Sequence, residues 1–174
     1  GGGNIVPLSS WFDWCLIGNE SNLNFRRALA EAVGTLESRV SVHTAHQHAA
    51  PYADEGAHRL LDAAPQPPTH LSSNYLAQLR SQLSKAAGNA VKRLEVFDQI
   101  GTGEAKVERV GSQRRLHDEN GKLSLRFSTG ALQPKLAEAP EGNIDPMLKT
   151  ITFARGSQPI VRLHFYASHP QTSC

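Results

Sequence analysis

Three imidazoles fall within six residues in "SVHTAHQHAAPY", the stretch from Ser41 to Tyr52: His43, His46 and His48. Imidazole nitrogen ligates zinc at about 2.0–2.1 Å, and a hydrolytic centre needs three protein ligands or so with one position left to water. A His-x-His pair supplies only part of such a set. His169, at the end of "PIVRLHFYASHP", is the residue that could complete more of it. Against this stands a plainer reading, since His-x-His arises by chance in a chain with eight histidines. His43, His58, His70, His117 and His164 read as surface or hydrogen-bonded structural histidines. "GSQRR" reads as a strand end carrying two exposed arginines, Arg114 and Arg115. "GTGE", from Gly101 to Glu104, lacks the strand-to-helix context of a phosphate loop and reads as a turn.

The elements that would position these groups alternate along the chain. "NFRRALAEAVGT" places Phe25, Leu29 and Val33 at helical spacing, with Asn22 or Asn24 as the N-cap and Gly34 as the stop. "RVSVHTA" alternates Val40 and Val42 with polar neighbours, as a short strand ending just before His46 does. After the Pro-rich "APQPPTH", Leu76, Leu79, Leu83, Ala87, Ala90, Val91 and Leu94 recur at three- and four-residue steps. They predict the longest helix, capped by Ser72 or Ser73 and packed through that stripe, with Lys85, Lys92 and Arg93 solvated. "AKVERVGSQ" and "KLSLRFSTG" alternate like strands around "HDENGK", whose Asn-Gly is a tight-turn signal. "MLKTITFA" and "PIVRLHFYAS" flank "RGSQ" as a second hairpin, with Val161, Leu163, Phe165 and Ala167 on one face. If the Val40 and Val161 strands lie parallel in one sheet, His46 or His48 would face His169 across the carboxyl edge, where such sheets place ligands.

Composition sets the class. The 174 residues, 39% hydrophobic and 20% charged, suffice for a real core and argue against disorder. One globular α/β unit, a mixed α+β arrangement with a mixed sheet and flanking helices, is the expectation. A net charge of +2, with bases and acids interspersed, does not nominate nucleic acid. Two cysteines, Cys15 and Cys174, exclude a Cys-based zinc site and a dense disulfide framework. No apolar run is long enough to span a bilayer, and "GGGNIVPLSS" has no signal-peptide pattern. The Gly-Gly-Gly start, the single methionine at Met147 and the stop at Cys174, soon after a strand, read as a fragment with sequence missing after Cys174.

Taken together, four segments resemble the neutral, alkaline-type (non-lysosomal) ceramidases. "AHQHAAP" is similar to their "THTHSGP", "VGSQRR" to their Asn-Arg segment, "NIDPMLKTITF" to their "VDP…L…L.F" strand, and "LHFYASHPQTS" to their second histidine segment, "FAVHGTS". The order and spacing agree across nearly the whole chain. The likeness is stronger to bacterial members carrying "HQH.AP" and "HYYATHPQSYY". The resemblance implies a zinc-dependent amidohydrolase that cleaves the N-acyl amide of ceramide to sphingosine and a fatty acid. It assigns zinc ligation to His46 and His169, orientation of water or substrate beside the metal to His48, and contact with a polar head or product carboxylate to Arg114.

The same resemblance implies what differs. Ala49 and Ala50 stand where the ceramidases have Ser-Gly, and Gln113 stands for their asparagine, so a different amide or ester is an open substrate. The family's glutamate and tyrosine ligands and its "NxGDVSPN" segment would follow residue 174, which makes the chain alone an inactive portion of the enzyme. A lipid or other N-acyl amide substrate and a secreted or periplasmic location are implied, with the rest of the same protein as partner. The alternative is a non-catalytic interaction domain with structural histidines and no metal.

Overall fold

The chain folds as a mixed α+β protein, described by a computed structural model over residues 8–127, 130 and 132–169. Among these residues four helices accompany several small sheets, one of them three-stranded and antiparallel, in place of a single mixed sheet. Two compact units are present, Gly1–Leu94 and Glu95–Cys174. Among the described residues no helix is long and apolar enough to cross a membrane.

In the first unit, β1 (Leu8–Phe12) pairs in parallel with β3 (Val40–Thr44), and the two-residue β2 (Leu16–Ile17) with β4 (Tyr52–Ala53). Parallel neighbours need a crossover, and α1 (Asn19–Val33) supplies it. The expected caps Asn22 and Asn24 lie inside this helix, which starts after Gly18. Tertiary bonds decide the start: Gly18 N–H donates to the Ala53 carbonyl at 2.8 Å, and the Asn19 amide donates to Asp54 at 2.6 Å. The amides of Asn22 and Asn24 are committed instead to the Val42 carbonyl and the Glu55 carboxylate. At the other end Gly34, at φ 68°, takes the left-handed conformation that glycine adopts at low cost, and its N–H bonds the last turn as expected.

Phe25 and Leu29 of α1 pack with Phe12, Ile17, Val42 and Leu76 in one buried cluster. Leu76 comes from α3 (Ser73–Ala90), whose Ser72 hydroxyl accepts the Tyr75 N–H as an N-cap. Leu79, Leu83 and Ala87 join the cluster partly buried, whereas Leu94 falls after the helix and is exposed.

Helix α2 (Glu55–Asp62) was not legible as a helix. Its buried residues are Glu55 and His58, while Leu60 and Leu61 are exposed, so apolar periodicity is absent. What starts it is Asp54, whose carboxylate accepts the N–H groups of Gly56 and Ala57 at 3.1 and 3.2 Å. Burial would raise the Asp54 pKa, but the Ala57 N–H, the Asn19 amide and the Gly56 N–H together hold it below the usual value. A depressed pKa makes this cap's contribution fully present above the unfolded aspartate value and lost as acid protonates the folded carboxylate. Asp54→Ala is expected to cost about 0.5–2 kcal/mol in urea melts at neutral pH. The gap from wild type should narrow below about pH 4; a constant gap would count against the cap.

The second unit is built on β5 (Gln99–Lys106), β8 (Met147–Arg155) and β9 (Gln158–Phe165), in the order β5-β8-β9. The β8-β9 hairpin turns at Gly156, φ 55°, as "RGSQ" predicts, with a bulge at Phe153/Ala154. Ala167 lies beyond the strand. "GTGE" is strand, not turn: Gly101–Glu104 sits inside β5, paired with β8. The Asn120-Gly121 turn does close a hairpin, but its arms are β6 (Arg115–His117) and β7 (Leu123–Leu125), not the longer runs. A four-residue helix, α4 (Pro134–Ala137), follows.

Candidate functional site

In the first unit β3 carries its apolar residues inward, Val40 and Val42 being buried, and so must point His43 outward. The His43 ring lies 4.9 Å from that of Trp11, and its Nε2 is hydrogen-bonded to the Ser41 hydroxyl. His43 is thereby used on the sheet surface. Past Thr44 the chain is tied back to the β1 side by Ala45 N–H to the Phe12 carbonyl and Gln47 N–H to the Trp14 carbonyl, at 3.0 and 3.3 Å.

Between these two bonds His46 adopts φ 56°. Few non-glycine residues take this left-handed conformation, histidine more readily than most. Its Nδ1 lies 2.9 Å from the Cys15 carbonyl oxygen. A carbonyl can only accept, so Nδ1 carries the hydrogen and a neutral ring has its lone pair on Nε2. Donation from the far nitrogen to a carbonyl is how metal-ligating histidines are oriented and their tautomer fixed. The Cys15 thiol is buried, unbridged and 3.7 Å from the same Nδ1. His48 follows on the same loop, its ring edge-on to that of His46 with centroids 4.9 Å apart. Both rings are exposed.

In the second unit Arg114 and His169 line one cavity of about 840 Å³, together with Ser112, Arg126, Phe127 and Leu136. The wall beside Arg114 is held by Arg126. Its guanidinium donates to the carbonyls of Leu136, Ala139, Gln113 and Pro140 at 3.1, 2.8, 3.2 and 2.9 Å, and its backbone N–H donates to the Arg114 carbonyl at 2.8 Å. Gln113 extends the clasp, its side-chain oxygen accepting the Asn143 N–H at 3.0 Å. Beside it Gly142, at φ 81°, has no room for a side chain: a Cβ there would meet Gln113 at 2.8 Å. Arg115 instead enters β6 opposite Leu125 and does not line the cavity.

Each unit thus brings two of the sequence-derived candidates together: His46 with His48, and Arg114 with His169. The expected common parallel sheet is not formed. β3 pairs with β1 because α1 returns it there, while the tight Gly156 turn makes β9 antiparallel to β8. Only His46 therefore follows a parallel strand. Cys174, and the residues after His169 that complete the second histidine segment, lie outside the described residues.

Sequence reasoning missed Arg126 and the Cys15 carbonyl, and named Gln113 only as the counterpart of the ceramidases' asparagine. Nothing in the residue pattern singles out a backbone oxygen, and Arg126 sits in an alternating strand-like run as any solvated arginine would. Comparison with protein-family models, curated proteins and solved structures finds no match to this chain.

Proposed function

We propose that this chain forms part of a zinc-dependent amidohydrolase of the neutral-ceramidase type, acting on a lipid or other N-acyl amide. The observation that carries the reading is the His46 ring: a left-handed loop residue whose Nδ1 hydrogen is engaged by the Cys15 carbonyl, so that Nε2 is the ligating nitrogen. In the proposal His46 and His169 ligate zinc, and His48 orients water or the substrate amide beside it. A zinc ion, when bound, supplies Lewis acidity that acidifies water and offsets charge developing on the amide oxygen. The planar fork of Arg114 holds a carboxylate or polar head through two parallel hydrogen bonds in the cavity it lines. Clasping by Arg126 keeps the Arg114 backbone in place.

The glutamate and tyrosine that would complete the ligand set are assigned by the resemblance to a segment after residue 174, so the test is binding rather than turnover. Calorimetric titration with zinc is expected to show weak binding that falls in acid, because only unprotonated imidazole ligates. Asparagine is the substitution of choice at position 46, since it tolerates the left-handed backbone while removing the imidazole. His46→Asn and His169→Ala should each reduce zinc affinity by at least tenfold, with unchanged circular dichroism. Equal affinities in wild type and both variants would remove the metal and leave a non-catalytic interaction domain in which His46 merely fastens its loop.

A further inference from the structure

The segment joining α2 to α3, Ala63–Leu71, contains Pro65, Pro67 and Pro68, three residues with no N–H to give to a backbone ladder. Something else must hold it. His70 lies between the two ends of that requirement: its Nε2 is 2.8 Å from the Asp62 carboxylate at the end of α2, and its Nδ1 is 2.9 Å from the Leu71 carbonyl. Its ring stacks on that of His58 from α2, with centroids 4.3 Å apart and planes 18° from parallel. His58 is buried and its Nδ1 has no hydrogen-bond partner.

Carbonyl and carboxylate oxygens only accept, so both His70 bonds exist together only when both ring nitrogens carry hydrogen. That species is the imidazolium. A neutral ring has a single N–H and keeps one of the two bonds.

We propose that His70 is a proton-operated latch, which as an imidazolium pins the proline-rich segment Ala63–Leu71 to the C-terminal end of α2 and on losing its proton loosens it. The groups that face it are the Asp62 carboxylate, which favours the cation, and the His58 ring, which covers it; behind His58 stands the Asp54 carboxylate at the start of α2. Loosening would also admit water to the unpartnered Nδ1 of His58, which favours the loosened state once the clamp is lost.

The direction of titration follows from the same contacts. The Leu71 carbonyl first and the Asp62 carboxylate second raise the His70 pKa above the ordinary histidine value, against the opposing effect of burial. A raised folded pKa means that the latch contributes fully below the unfolded value of about 6.5 and is lost as pH rises through the folded one. The segment is therefore held in mild acid and loosened in alkali.

The test follows the His70 ring resonances by NMR between pH 5 and 9, and in parallel the heteronuclear NOE of the Gln66, Thr69 and Leu71 amides, which reads how firmly the segment is held. His70 should titrate above the ordinary histidine value, and the NOE of the three amides should fall through the same midpoint, while that of the α1 amides holds. His70→Gln should show the low values at every pH, and Asp62→Asn should lower the midpoint while the protein stays folded. A His70 midpoint at or below the ordinary value would overturn the latch. So would a flat NOE across the titration, or a pH step that survives in His70→Gln and so belongs to His58.

Discussion

Replacing Phe25 by alanine is expected to destabilise the protein by about 3–5 kcal/mol. Phe25 is fully buried on the inward face of α1. It meets the Phe12 ring edge-on, centroids 5.2 Å apart, and lies under the Arg80 guanidinium at 5.7 Å. Truncation removes the transfer free energy of the ring and leaves a void among Phe12, Leu29 and Leu76, which come from a strand and two helices and cannot all move inward. Edge-to-face packing adds about 0.5–1.5 kcal/mol that a leucine would not restore, so Phe25→Leu should cost less than alanine but remain measurable. Urea unfolding of both variants, with the slope checked for constancy, gives the comparison. A cost below about 1.5 kcal/mol for Phe25→Ala would mean that the cavity collapses freely, against close packing of this cluster.

Phe25 also marks what the sequence makes legible. It was found with Leu29, Val40, Val42 and Leu76, because a period of 3.6 or 2 in apolar residues reports directly which side faces the core. The Gly34 stop, the Ser72 cap and the Gly156 hairpin were found because each is a local requirement of the backbone. Helix α2 escaped because its inward side is polar. The start of α1 was misplaced because Asn22 and Asn24, good caps by type, spend their amides on Val42 and Glu55. Gly101–Glu104 looked like a turn because glycines are poor strand formers, yet pairing with β8 overrides that preference. At the candidate site the pattern exposed the histidines and arginines but not their supports, since the Cys15 carbonyl and the carbonyls around Arg126 are backbone groups that any sequence possesses.

The second large effect is expected at the polar contact that the apolar pattern cannot show. Glu55 is buried and accepts from Arg80 Nη1 at 2.8 Å, from the Asn24 amide at 3.0 Å and from the Ser21 hydroxyl at 3.3 Å, while its own N–H donates to Ser21. One carboxylate thus joins α2 to α1 and α3. Arg80→Met should cost about 3–5 kcal/mol, because it leaves a buried carboxylate without its cation. Glu55→Gln should cost distinctly less: glutamine keeps the hydrogen-bonding shape, and Arg80, with its side chain 19% exposed, can swing its head toward water while its stem stays on Phe25. The double variant Arg80→Met, Glu55→Gln should then be more stable than Arg80→Met alone, since neutralising the stranded carboxylate removes most of the penalty. This reversal distinguishes an internal ion pair from two independent packing contacts, whose losses would simply add. Urea melts of the four proteins in the cycle measure it. Additive costs, or equal costs for the two single variants, would show that the network is solvated enough for water to replace either partner.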